Sequence, residues 1–176
     1  YKKRHFVFNK KSGAKIYGLF ARFVLKIGRL FSKEYRCNVL PYKEPVVYVC
    51  RHLDMHGPYT TLKWLHFNVH PMIFSKFFTQ KECYNQYKNY TFSVRQNKQK
   101  PKASFKAFVS SIAVVKLVKS LKAVPVFREP FQTIKTFRKA MEFLNKNESL
   151  IVYPDIEYTA GANQKSDIYD GFLFLG

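Results

Sequence analysis

The segment Arg51-His52-Leu53-Asp54-Met55-His56-Gly57-Pro58 follows directly on an apolar run, 46–50, and leads into a helix-like stretch. Where a strand gives way to a helix, unpaired backbone N–H groups face whatever lies beyond the strand end. An imidazole with an ordinary pKa of ~6.5 exchanges its proton near neutral pH. A histidine in this turn therefore suits general-base work on a hydroxyl, and His52 is the candidate. The same residue type also serves as a solvated or capping loop residue in such turns. Two neighbouring chemistries are weaker. His52 and His56 are four residues apart, as are His66 and His70, but Gly57 and Pro71 interrupt helical geometry beside each pair and no HExxH arrangement is present, so no metal is expected. Cys50 stands two residues before His52, which puts the two on one side of a strand without forcing contact, so a buried strand cysteine is the simpler reading.

Two further places carry charge at a strand end. In Val124-Pro125-Val126-Phe127-Arg128 the guanidinium of Arg128 could hold a phosphate with paired N–H donors, or pair with Glu129 or Glu157. In Ile151-Val152-Tyr153-Pro154-Asp155-Ile156-Glu157-Tyr158 two carboxylates follow an apolar run.

The elements that must position these residues alternate. Apolar runs at 46–50, 72–75, 123–127 and 150–153 read as strands, and 58–67, 77–90, 104–121 and 131–145 read as helices. Pro58 falls near a first helical turn. Phe105, Phe108, Ile112, Val115 and Val118 are expected on one side of the 104–121 helix, and the polar segment 95–102 reads as an exposed loop. Alternation of this kind predicts an α/β fold, a single layered domain with a central mostly parallel sheet flanked by helices, plus an N-terminal amphipathic helix.

That helix is the clearest in the chain. Ile16, Leu19, Phe20, Phe23, Val24, Ile27, Leu30 and Phe31 keep helical spacing, while Lys15, Arg22, Lys26, Arg29 and Lys33 take the other face. A helix of this kind either packs on its own domain with a solvated basic back or lies in a bilayer interface. Residues 1–36 are read as a basic, membrane-interface segment and 37–176 as the α/β domain.

The 176 residues carry 31 Lys and Arg against 11 Asp and Glu, a net charge of +20. Residues 1–36 hold eleven basic side chains against Glu34, so anionic surfaces are the expected partners. Acidic lipid fits better than nucleic acid, for which no RNP-like, zinc-finger or helix-turn-helix pattern is present. The longest stretch free of Lys, Arg, Asp and Glu, 64–75, falls far short of the ~20 apolar residues of a spanning helix. Hydrophobic residues at 47% exclude a mainly disordered chain. Three cysteines without close pairing suit a reducing compartment. The start shows no Met and no signal-peptide cleavage site, and the end breaks off mid-pattern at Phe172-Leu173-Phe174-Leu175-Gly176, so the expectation is a domain truncated at its C-terminus.

Taken in order, the three charged segments resemble the motif blocks of the glycerolipid acyltransferase family, over roughly residues 39–176. The family's first block, a His, four residues and an Asp, aligns on His52 to Gly57. Its Ile-Pro-Val-x-Arg block aligns on Val124 to Arg128, and its Phe-Pro-Glu-Gly-Thr-Arg-Ser block on Tyr153 to Thr159. Gly57 stands where the family has its Asp, Ile156 where it has Gly, and Tyr158 where it has Arg. The resemblance implies transfer of an acyl chain from acyl-CoA or acyl-carrier protein to a lysophospholipid such as 1-acylglycerol-3-phosphate. His52 would be the base and Asp54 its substitute carboxylate, with Asp155 as runner-up. Arg128 would hold the acceptor's phosphate, and Gly57, Pro154 and Asp155 would line the substrate site. No bound cofactor and no metal are implied. The place would be peripheral, on the cytoplasmic inner face of the cell membrane. A catalytically weak relative that binds lysolipid or acyl carrier is the alternative, and nucleic-acid binding the remote one.

Overall fold

The computed structural model describes residues 17–33, 41–52, 56–65, 67–95 and 100–154. Four short strands, β1 (Val47–Val49), β2 (His70–Phe74), β3 (Val124–Val126) and β4 (Leu150–Val152), form one sheet in the order β1-β4-β2-β3. Every pairing is parallel. Helices α2 (His56–Trp64), α4 (Lys100–Ser120) and α5 (Pro130–Leu144) lie between strands in the chain, and α1 (Leu19–Leu30) precedes them. A 3₁₀ turn (Ser75–Phe77), α3 (Gln80–Gln86) and a π-helix (Tyr87–Arg95) fill the stretch between β2 and α4. The expected α/β fold is the one found, with element ends shifted by a few residues.

Successive strand residues point to opposite faces, and the sheet buries both. Leu150 packs with Val124, Ala140 and Phe143 on the α5 side, with Val47 and Met72 beside them. Ile151 packs with Tyr17, Ala21, Leu25, Leu62 and Leu121 on the α1 and α2 side. Burial on both faces is why the strands read as unbroken apolar runs. A third cluster, Cys83, Tyr87, Phe92, Ala107 and Val115, binds α3 and the π-helix to α4. Burial pushes the Cys83 thiol up to about 12.

Several local signals explain the helix ends. Thr79 caps α3 by accepting from the Glu82 N–H, and its hydroxyl donates to the Glu82 carboxylate at 2.6 Å. Pro130 sits in the first turn of α5. Lys122 and Asn147, at φ 51° and 61°, make the left-handed turns that lead from α4 into β3 and from α5 into β4.

Helix α1 has neither a capping side chain of its own nor an acid in its first turn. Ser120, at the end of α4, supplies the cap: its Oγ accepts from the Ala21 N–H at 2.9 Å and its carbonyl from the Gly18 N–H at 2.8 Å. Tyr17 anchors the approach, since its hydroxyl donates to the Val69 carbonyl at 2.6 Å and accepts from the Val69 N–H at 3.1 Å. Burial pushes this phenol up to about 12, against the smaller opposing effect of that carbonyl. Gly28 lets α1 approach α2, because a Cβ there would stand 1.9 Å from the Tyr59 hydroxyl.

α1 turns Ala21 and Leu25 to the core, with Tyr17 just before it, and leaves Leu19, Phe23 and Leu30 of its apolar stripe exposed. The face of α4 differs from expectation. α4 buries Ala107, Ser111, Val115 and Val118, while Phe105, Phe108 and Ile112 face outward. Small side chains, Ala21 on α1 and Ala107 and Ser111 on α4, are fully buried among the core-facing residues, which allows close approach of the backbones. The 95–102 loop is also shorter than expected, since α4 starts at Lys100; residues 96–99 lie outside the described ones. Nor is the 77–90 stretch one helix, and Cys83 and Tyr87 within it are buried.

Candidate functional site

His52 stands three residues past β1, at the carboxyl edge of the sheet. The Cys50 N–H donates to the Val152 carbonyl at 2.9 Å, which carries the β1–β4 pairing one residue beyond the strand. Tyr48 and Cys50 pack against the α1–α2 cluster, and alternation sends His52 to that same side. Tyr153, leaving β4 at the same level, packs there too. The two rings meet edge to face, 5.8 Å between centroids and 77° between planes, within the range in which aromatic pairs attract. Residues 101 apart in sequence thus form one contact.

Burial drives the Tyr153 phenol well above its ordinary pKa, with the Cys50 thiol adding to the shift and the Thr61 hydroxyl opposing it. The phenol is therefore neutral across the working range. Its oxygen is sealed from solvent and finds no partner of hydrogen-bonding geometry among the described residues. Thr61 donates its own hydroxyl to the Gly57 carbonyl at 2.8 Å. Pro154, the next residue, is buried.

Gly57 lies in the first turn of α2, directly over the backbone it follows. A Cβ there would stand 1.9 Å from the His52 carbonyl oxygen and 2.8 Å from that of Arg51. Both obstacles are backbone, so neither can swing aside. The position where the resemblance has a carboxylate has no room here for any side chain. Asp54 and Asp155, the two acids proposed to take its place, lie outside the described residues, as does His66.

Arg128 follows β3, the opposite edge strand. The strand register puts Tyr48, Ile151 and Pro71 in one row, and Met72 opposite Val124 extends that row to Ala123. His52 and Arg128 are four and five residues beyond it, so both leave the carboxyl edge. They are three strand spacings apart, about 14 Å. The Arg128 guanidinium lies 4.6 Å from the centroid of Phe74, the last residue of β2.

The structure therefore brings His52 together with Gly57 and Tyr153, with Pro154 next in the chain, and sets Arg128 further along the same edge. It also separates His52 from His70. His70 is at the amino end of β2, fully buried, with Nδ1 3.0 Å from the Lys122 carbonyl and Nε2 3.0 Å from Glu148 Oε2. Its neighbours make it a structural residue. Sequence reasoning did not single out Tyr153 as a partner of His52, although a tyrosine in place of the resemblance's Phe was the available signal. Nothing local in the sequence points to the His70–Glu148 pair.

Comparison of the chain with protein-family models, with curated proteins and with solved structures finds no match. Among the described residues, no helix is long and apolar enough to cross a membrane. What the fold and the site define is a single-domain α/β protein with a histidine at the carboxyl edge of a parallel sheet.

Proposed function

We propose that this protein is an O-acyltransferase of phospholipid synthesis. It moves a fatty acyl chain from acyl-CoA or acyl-carrier protein to the free hydroxyl of a lysophospholipid such as 1-acylglycerol-3-phosphate. It works at the cytoplasmic face of an anionic membrane. The observation that carries the reading is the meeting of His52 with Tyr153: the first and third motif blocks, far apart in the chain, come together where a parallel sheet presents its ligand-facing edge.

The chemistry needs one proton carrier. The acceptor's hydroxyl oxygen attacks the thioester carbonyl as His52 takes its proton; the C–S bond then breaks, and the leaving thiolate receives the proton from His52. No acyl-enzyme forms. The acceptor lies along the carboxyl ends of β4 and β2, with its phosphate toward Arg128, whose long side chain spans part of the gap from the far edge strand.

Gly57 favours a second reading. With no space for a carboxylate at that position, the protein binds lysolipid or acyl carrier at the same edge without turnover. The experiment is acyl transfer by the full chain from acyl-CoA and acyl-carrier protein to a panel of lysolipids, beside His52→Ala. Transfer lost in that variant supports the first reading, and lysolipid binding without transfer the second. Neither transfer nor binding overturns both.

A further inference from the structure

We propose that α4 and α1 together form one docking surface for an anionic bilayer, with the outward side of α4 as its second half. The proposal stands apart from acyl transfer, because it rests on side chains far from His52 and is read by binding alone.

On α4, Phe105, Val109 and Ile112 are all exposed, Phe105 at 73%. With Lys116 they follow spacings of four, three and four, which places them in one line along the helix. The Lys116 ammonium lies 4.7 Å from the centroid of Phe20 on α1. Phe20 is three residues before Phe23 and seven before Ile27, so it borders the exposed stripe of α1. That stripe includes Leu19 at 79% and ends beside Phe31 at 86%. Lys116 thus joins the two lines into one continuous surface.

The charge on this surface identifies its partner. Neither helix contains an Asp or Glu. Arg22, Lys26 and Arg29, on the face of α1 beside its apolar stripe and not within it, and Lys106, Lys116 and Lys119 on α4 are all exposed. A bilayer interface offers acyl chains and phosphate headgroups within one side-chain length, and so satisfies Phe, Leu and Lys together. A second copy of the chain would bring another +20 against the same cations. Nucleic acid offers phosphates and bases but no hydrocarbon for Leu19, Val109 and Ile112.

Flotation of the full chain with phosphatidylcholine vesicles, with and without phosphatidylglycerol, tests this. The variants are Phe105→Ser/Ile112→Ser on α4 and Phe23→Ser/Leu30→Ser on α1, with folding followed by circular dichroism. All four positions are exposed, so the fold is expected to be kept. Wild type should float only with phosphatidylglycerol present, and each pair should weaken binding by about tenfold or more. Wild-type flotation of a folded α4 variant overturns the proposal, as does equal binding to uncharged vesicles. It is also overturned if wild type does not float, whether or not it forms a dimer or shifts a nucleic-acid band that the α4 substitutions abolish.

Discussion

The buried ring of His70 and the carboxylate of Glu148, 78 residues later, meet at 3.0 Å across the amino-terminal edge of the sheet. The other ring nitrogen faces the Lys122 carbonyl, also at 3.0 Å, and the ring stacks on Phe143 with centroids 3.8 Å apart. One imidazole therefore ties together the chain segments that enter β2, β3 and β4. The Lys122 carbonyl can only accept, so Nδ1 carries a hydrogen. The second bond is complete only when a further proton sits between Nε2 and Glu148. Burial holds the ring below its ordinary pKa, outweighing the opposing pull of the Lys122 carbonyl and Glu148.

A pH dependence follows, with its sign. The unfolded imidazole titrates near ~6.5, and the folded ring binds its second proton less readily. Stability from this site is then complete above about pH 6.5 and falls as pH drops below it. Glu148→Gln offers an N–H to Nε2 and should raise stability at pH 8 by about 1 kcal/mol. It should also steepen the loss in acid, because the carboxylate that favours the imidazolium is gone. Urea unfolding at pH 5 and pH 8 checks both; a parallel shift of the two curves would remove His70 as the cause.

Gly57 should tolerate no side chain. Gly57→Ala is expected to cost about 1–3 kcal/mol, as overpacking against fixed atoms does, and Gly57→Asp should not raise kcat. Thermal melting read beside the acyl-transfer assay decides this, and a stable Gly57→Asp with faster turnover would refute it.

Tyr153 should act through its ring and not its hydroxyl. Tyr153→Phe keeps the edge-to-face contact with His52 and removes a buried oxygen, so stability and transfer should stay within about 1 kcal/mol of wild type. Tyr153→Leu should leave the imidazole less ordered, seen as a shift of the His52 ring signals in NMR and a lower kcat. Equal effects of the two variants would point to the hydroxyl instead.

Arg128→Ala should remove a charged hydrogen bond to the acceptor's phosphate, about 1.5–3 kcal/mol, and lower kcat/KM by roughly tenfold or more. An acceptor lacking the phosphate should show no such difference between the two proteins.

Ser120→Ala should loosen α1 without unfolding the sheet, because the Ala21 N–H loses its acceptor. A cap of this kind contributes about 1 kcal/mol. Amide exchange in residues 19–25 should quicken while β2 and β4 stay protected.

The sequence by itself determined the class of fold. Apolar runs of strand length alternating with longer periodic stretches leave little choice but a parallel sheet covered on both faces, and Leu150 and Ile151, buried on opposite sides, are that rule made visible. It also determined that His52 and Arg128 leave strand ends, since each follows an apolar run and precedes a helix. The tertiary structure decided which face of each helix is buried. Periodicity marks an apolar stripe but not whether it meets the core, and here the small residues Ala21 and Ala107 won the inward positions, leaving Phe23 and Phe105 outside. It likewise decided the distance between His52 and Arg128, because strand order β1-β4-β2-β3 depends on how the crossovers pack and not on any one segment. His70 with Glu148, and Ala21 with Ser120, show the same limit: each joins groups 78 and 99 residues apart, and local sequence carries no trace of a partner that only folding brings near.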